Sequence, residues 1–164
     1  MKSYEEFLSA KSQMDAGDGF NPSFMPEYLF DFQAHLVDWA VRTGRASIFA
    51  DCGMGKTPMS LVWSQNVIQK TAKPVLILAP LSVSVQTVDE AWKFGIEAQR
   101  SLDGKFKGAN IVVTNYERLH YFNPHDFAGV VCDESSCIKA FDGSRKTEIT
   151  EFMKKVRYRL LCTA

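Results

Sequence analysis

The chain has 164 residues, of which 46% are hydrophobic and 23% charged, and its formal net charge is zero. This length and composition predict one ordinary globular domain with a full hydrophobic core. No segment approaches the roughly 20 consecutive apolar residues of a membrane span, and the acidic N-terminus lacks the apolar core of a signal peptide, so we expect a cytoplasmic protein with no membrane partner.

The elements alternate along the chain. A short helix over Tyr4–Gln13 and a loop rich in Gly and Pro over 14–27 predict an N-terminal extension, residues 1–27, before a longer helix over Tyr28–Arg42. The strands predicted next are Ser47–Asp51, Val75–Ala79, Asn110–Thr114, Gly129–Asp133 and Tyr158–Thr163. The helices predicted between them are Pro58–Gln69, Val83–Phe94, Tyr116–Tyr121 and Ser144–Lys154.

These strands are continuous apolar runs, which are typical of parallel strands covered on both faces. We therefore predict an α/β fold over residues 28–164, with a three-layer, doubly wound, mainly parallel sheet and with ligands at the carboxyl ends of the strands.

Residues 50–57, ADCGMGKT, follow a predicted strand and open a predicted helix. They match the phosphate-loop pattern, in which glycines turn backbone N–H groups toward a polyphosphate, Lys56 reaches the β- and γ-phosphates, and Thr57 binds Mg²⁺. A glycine-rich turn with a chance Lys-Thr pair is the alternative. The predicted nucleotide-binding residues of the loop are Gly53, Met54, Gly55, Lys56 and Thr57.

A second candidate site lies where the apolar run Gly129–Asp133 ends in two acids, Asp133 and Glu134. A nucleoside triphosphatase needs two carboxylates in this position, one to orient Mg²⁺ and one to polarise the attacking water. We assign the metal to Asp133, together with Thr57, and the base to Glu134. A strand that simply ends in solvated acids is the alternative.

The four cysteines are Cys52, Cys132, Cys137 and Cys162, without a C-x-x-C pair or clustered histidines. This pattern predicts buried thiols rather than zinc ligands or disulfides. Residues 1–38 carry two Lys against seven acids, and residues 139–159 carry seven Lys or Arg against three acids. The latter segment is the main basic surface that nucleic acid could contact, although a solvated helix face explains the same charges.

The segments FQAHLVDWA, FADCGMGKT, VLILAPLSV, IVVTNYERL, VVCDESSCIKA and YRLLCTA follow in this order. Over residues 29–164 they resemble the first RecA-like motor lobe of superfamily 2 helicases, most closely the Swi/Snf-like and phage-type DNA translocases. The resemblance implies a P-loop NTPase lobe that uses ATP and Mg²⁺ and moves on nucleic acid, expected to be DNA, in a bacterial or phage-infected cell.

The resemblance also assigns individual residues. It assigns the recognition of adenine to Gln33; the alternative is a glutamine that is simply exposed on a helix. It implies contacts to the nucleic-acid backbone at two loops, of which the second is explained nearly as well by a plain Asn turn. In the family, a His or Asp commonly bonds to the motif that couples ATP hydrolysis to strand movement, which in this chain contains Thr163. This chain has Ser136 in the position of that His or Asp. The residues expected at the two loops are Pro80, Leu81, Ser82, Thr114, Asn115 and Tyr116.

The coupling motif is reached at Thr163 and Ala164. The resemblance therefore implies a second RecA-like lobe, in cis or in trans, that supplies an arginine finger, and we expect little ATPase activity from the isolated chain. Two alternatives stay open. One is a stand-alone nucleotide-binding or adaptor module without turnover of its own, and the other is a small-molecule kinase, which would want an arginine-rich lid.

Overall fold

A computed structural model describes residues 17–164, so the helix predicted over Tyr4–Gln13 lies outside the described range. Within that range one six-stranded sheet has the order β1-β6-β5-β2-β4-β3, and every neighbouring pair is parallel. The strands are β1 Arg45–Phe49, β2 Val75–Ala79, β3 Ala98–Arg100, β4 Ile111–Asn115, β5 Gly129–Cys132 and β6 Tyr158–Thr163. The α/β prediction is confirmed, and the sheet is wholly parallel.

The helices form a layer on each face of the sheet. They are α1 Asp31–Thr43, α2 Lys56–Thr71, α3 Leu81–Lys93 and α4 Gly143–Lys154. Val75 and Ile77 of β2 share a core with residues of α1, α2 and α3, whereas Leu76 and Leu78 share the opposite core with residues of α4. Because successive side chains of a strand point to opposite faces, this division confirms the three layers.

The segment before α1 is hydrogen-bonded to the fully buried side chain of Asn66 in α2. Its Oδ1 accepts hydrogen bonds from the N–H groups of Ser23 (2.8 Å) and Phe24 (2.9 Å), and its Nδ2 donates to the Phe24 carbonyl (2.8 Å). An amide buried in this way satisfies the backbone of a segment that belongs to no helix or strand.

Several boundaries differ from the prediction. The helix predicted from Tyr28 begins at Asp31, because Phe30 has an extended backbone (ψ 154°). Residues Tyr116–Tyr121 form a 3₁₀-helix rather than an α-helix. Tyr116 and Leu119 are both about 1% exposed and pack into one core, and side chains three residues apart are superposed in a 3₁₀-helix. Strand β3 and the 3₁₀-helices Pro124–Asp126 and Ser135–Ala140 were not predicted.

Between residues 17 and 164, no helix combines the length and apolar character required to cross a bilayer. Cys132 and Cys162 are buried as predicted, and Cys137 is half-buried. The prediction is wrong for Cys52, which is exposed because it lies in the turn after β1 and not in the strand.

Candidate nucleotide site

The turn between β1 and α2 has the geometry of a phosphate loop. Gly53 (φ 83°) and Gly55 (φ 77°) both have left-handed backbone that favours glycine. A methyl group at Gly55 would also collide with Nε2 of Gln33, whereas one at Gly53 would meet nothing within 4 Å. Helix α2 begins directly after Gly55 without a side-chain cap, so its first N–H groups are free to bind an anion.

Lys56 joins this loop to the predicted carboxylate pair. Its Nζ donates to the carbonyl of Ala50 (3.0 Å) and lies 3.3 Å from Oε1 of Glu134, and its side chain is 10% exposed. The ammonium group is therefore held at the carboxyl ends of β1 and β5 by two acceptors of the chain itself. A phosphate entering the loop would take over these contacts.

The loop borders a cleft of about 530 Å³, which lies within the usual size of small-molecule sites. The cleft is lined by Cys52, Gly53, Gly55, Lys56, Thr57, Pro58, Gln86, Glu90 and Glu134. Gln86 and Glu90 were not predicted. They are polar residues in the middle of α3, which carry no sequence signal, and only the packing of α3 beside α2 brings them to the loop.

Asp133 lies just beyond the end of β5 and is 5% exposed. Its N–H donates to the Leu78 carbonyl (2.7 Å), its carbonyl accepts from the hydroxyl of Tyr116 (2.7 Å), and its Oδ1 accepts from the N–H of Glu134 (3.0 Å). Burial first, and then the charge of Glu134, raise the pKa of Asp133 to about 6. A nearby cation would stabilise the ionised form of a carboxyl group that is buried in this way.

The chemistry of these donors fits Mg²⁺. In residues 17–164 no three His, Cys, Asp or Glu side chains are grouped as a self-sufficient metal centre. Mg²⁺ is commonly bound through one or two protein oxygens, with phosphates and water completing its octahedron. Thr57 in the first turn of α2, which lines the cleft, and Asp133 after β5 are the predicted ligands, and together they would supply such a partial set.

Glu134 has left-handed backbone (φ 50°, ψ 50°), which is unusual for a residue with a side chain. The turn ends β5 and starts the 3₁₀-helix Ser135–Ala140. It leaves the carboxylate one-third exposed and facing Lys56. Strained backbone of this kind is often found at functional sites.

Gln33 connects the start of α1 to the same loop. It is 5% exposed, so the alternative of an exposed helix glutamine does not hold. Its Nε2 donates to the Met54 carbonyl (2.9 Å) and its Oε1 accepts from the N–H of Phe30 (3.0 Å). One hydrogen of Nε2 and one lone pair of Oε1 take no part in these two bonds. A base edge that accepts one hydrogen bond and donates another would need such a donor and acceptor.

The two loops expected to contact nucleic acid lie at the ends of neighbouring strands, where Ala79 of β2 pairs with Asn115 of β4. Pro80 precedes α3 without a side-chain cap, and Leu81 and Ser82 open that helix. Thr114 and Asn115 are buried, and the Oγ1 and Oδ1 atoms of these residues have no hydrogen-bond partner.

Tyr116 lies beneath this surface, because it is 1% exposed and its hydroxyl is bonded to the carbonyl of Asp133. Any contact of this residue with nucleic acid would come from its backbone. At the coupling position, Thr163 lies at the end of β6 and its Oγ1 donates to the Ala164 carbonyl (3.3 Å), while Ser136 is exposed in the 3₁₀-helix after Glu134.

Comparison with known proteins gives no matching family model. Putative protein p41 of Acyrthosiphon pisum secondary endosymbiont phage 1 is 26% identical over an alignment of 148 residues, and the match covers 78% of this chain and 32% of the relative. The chain therefore spans about a third of the length of that protein.

Solved helicase structures have the same fold at low identity. The Sulfolobus solfataricus SWI2/SNF2 ATPase core in complex with dsDNA has a TM-score of 0.67 at 20% identity, over 89% of this chain and 33% of that one. The UvsW helicase of bacteriophage T4 has a TM-score of 0.68 at 15% identity, over 98% of this chain and 60% of that one. A second T4 UvsW structure has a TM-score of 0.70 at 14% identity, over 98% and 34%. The chain has the RecA-like α/β fold found in these helicase ATPase cores.

Proposed function

We propose that this chain is the ATP-binding lobe of an ATP-dependent helicase or translocase that moves on nucleic acid, with DNA as the expected track. The observation that carries the proposal is the 3.3 Å contact between Lys56 of the loop and Glu134 after β5. It brings a phosphate-binding cation and a candidate base together at one edge of a parallel sheet, where ligands of doubly wound folds bind.

In this account the chain's own groups have separate tasks. The N–H groups around Gly55 and the Lys56 ammonium bind the polyphosphate, and Thr57 and Asp133 hold Mg²⁺, which when bound neutralises phosphate charge. When Lys56 turns from Glu134 to a phosphate, the Glu134 carboxylate is left facing the cleft. There it can orient a water molecule and accept its proton.

The cleft has no arginine in its lining among the described residues. The nearest candidate by sequence, Arg145, lies 3.7 Å from Glu117 and stacks at 5.4 Å on the ring of Phe141. An arginine finger contributes about 10³–10⁵ in rate where one is used. We therefore assign full turnover to a complex with a second RecA-like lobe, in cis or in trans, and expect weak ATP binding and near-background hydrolysis from residues 1–164 alone.

Contacts to the track are assigned to the backbone-binding loops at the ends of β2 and β4. The free N–H groups at the start of α3 and the hydroxyl of Ser82 suit a phosphate, and Asn115 ends the neighbouring strand, where its Nδ2 donates to Glu117 (2.6 Å). Contacts of this kind position a strand without reading its sequence. The SWI2/SNF2 core, whose structure contains dsDNA, and the phage relative support DNA and a bacterial or phage-infected cytoplasm.

The competing candidate is a nucleotide-binding adaptor without turnover, which the absence of an arginine from the cleft lining also fits. DNA binding separates the two. We expect fluorescence anisotropy at low ionic strength to detect binding of labelled single- or double-stranded DNA, with loss of affinity in Ser82→Ala and Asn115→Ala and none in Ser144→Ala, a hydroxyl on the opposite helical layer. Absence of binding, or equal affinity in all variants, would contradict the assignment of these loops and leave the nucleotide site untouched.

A further inference from the structure

Glu90 brings a further carboxylate to the nucleotide cleft, from a helix that carries neither the phosphate loop nor the acid pair after β5. It is half-buried in α3 and lines the cleft together with Thr57 of α2 and Glu134. Within residues 17–164 it forms no ion pair. Burial of a carboxylate without a cationic partner disfavours its ionised form, so a cation bound nearby would stabilise it.

The side chain of Gln86 orients this carboxylate. Gln86 lies one turn earlier on α3 and also lines the cleft, and its Nε2 donates to Oε1 of Glu90 (2.9 Å). Residues four apart on a helix are neighbours, so the bond restricts the side-chain conformation of Glu90. A carboxylate has about four acceptor positions, and this bond uses one of them. The others can accept hydrogen bonds from donors that enter the cleft.

The charges of the cleft favour a bound cation when a polyphosphate enters. Of the described residues that line it, Glu90 and Glu134 are acidic and only Lys56 is basic. Lys56 already lies 3.3 Å from Glu134. Asp133 is close enough for the charge of Glu90 to contribute to the rise in its pKa. A polyphosphate carries several negative charges, so these acids would oppose its binding unless a divalent ion accompanied it.

We infer that Glu90 is a positioning residue for Mg²⁺, whose carboxylate accepts hydrogen bonds from water molecules bound to the ion. The inference rests on the proposed function, in which Thr57 and Asp133 are the direct ligands. In the part of the chain that the structure describes, Glu90 is not grouped with the other two acids as a set of direct ligands. Mg²⁺ usually keeps several of its waters, and groups that surround the direct ligands of a metal contribute to its affinity.

The test separates the metal from the nucleotide. Calorimetry with the 164-residue chain at low ionic strength measures the Kd of ATP with saturating Mg²⁺ and with EDTA. Glu90→Gln keeps an acceptor for Gln86 and removes the charge. We expect its Kd for Mg-ATP to rise about 10- to 100-fold, as loss of a contact around the direct ligands does, without a rise in EDTA. Asp89→Asn, the same loss of charge at an exposed position of α3, should leave both values unchanged.

An unchanged or lower Kd for Mg-ATP in Glu90→Gln would overturn the inference, because the carboxylate would then only repel the nucleotide. An equal rise with Mg²⁺ and with EDTA would overturn it as well, since the side chain would then act on the loop and not on the ion. Both results leave the nucleotide site standing. If the wild type bound ATP in neither condition, the proposed function would fail and the inference with it. Circular dichroism of the variant checks that the fold is retained, which the partial exposure of Glu90 leads us to expect.

Discussion

Replacing Asp133 with Asn should stabilise the fold when metal and nucleotide are removed. The pKa of Asp133 rises from its ordinary 3.8 to about 6, first through burial and then through Glu134. The hydrogen bond from the N–H of Glu134 and then the charge of Lys56 oppose the rise, and the charge of Glu90 adds to it. A difference of about two units corresponds to about 3 kcal/mol of stability that the ionised carboxylate costs. Asn keeps the acceptor for the N–H of Glu134 and carries no charge.

The effect depends on pH in a defined direction. The folded state binds the Asp133 proton more tightly than the unfolded chain does, so the stability of the wild type falls as pH rises from about 4 to about 6. Above about pH 6 the ionised carboxylate lowers the free energy of unfolding by its full amount. Urea unfolding in EDTA should show the Asp133→Asn variant to be more stable than the wild type by about 0.5 kcal/mol at pH 4 and by about 3 kcal/mol at pH 7.5. Asp89→Asn, an exposed control on α3, should show no such trend. Equal or lower stability of the Asp133→Asn variant at pH 7.5 would refute the reasoning.

Further substitutions test the phosphate loop, the candidate base and the hydrogen bond between Tyr116 and Asp133. Gly53→Ala and Gly55→Ala impose similar backbone strain, about 1–2 kcal/mol, but only the methyl group at residue 55 collides with Gln33. Thermal unfolding and calorimetry should therefore show a larger loss of stability and of ATP binding in Gly55→Ala than in Gly53→Ala. Equal effects in the two variants would argue against the Gln33 contact. Glu134→Gln should keep ATP affinity and abolish turnover once a second lobe completes the motor, and weakened ATP binding in this variant would remove the assignment of Glu134 as base. Tyr116→Phe leaves the buried carbonyl of Asp133 without its donor and should cost about 1–3 kcal/mol in urea unfolding. Tyr121→Phe, on an exposed ring, is the control, and a similar change in both would contradict the role of the Tyr116 hydroxyl.

The phosphate loop and the strand that ends in Asp133 could be predicted because their signals are local. Glycines at fixed spacing before Lys56 describe a turn, and a continuous apolar run describes a covered parallel strand. The parallel sheet then brings the ends of its strands to one edge, which is why Lys56, in the first turn of the helix after β1, and Glu134, just after β5, meet at 3.3 Å.

Contacts that depend on how helices pack could not be predicted. Nothing in the sequence of α3 marks Gln86 and Glu90 as cleft residues, since both are ordinary polar positions of an amphipathic helix. Tyr116 was predicted at the nucleic-acid surface, but it turns inward to the carbonyl of Asp133. Strand β3 escaped detection because it has three residues and includes Gln99 and Arg100. These are tertiary effects that override local pattern.

The binding of Mg-ATP to the wild type and to Lys56→Ala tests the central claim most directly. Calorimetry at low ionic strength should detect weak binding by the wild type that depends on Mg²⁺ and disappears in Lys56→Ala. Lys93→Ala, at the exposed end of α3, should bind as the wild type does, and circular dichroism should show both variants folded. Equal affinity in the wild type and in Lys56→Ala would contradict the account, because the ammonium group held between Ala50 and Glu134 would then have no part in holding a nucleotide.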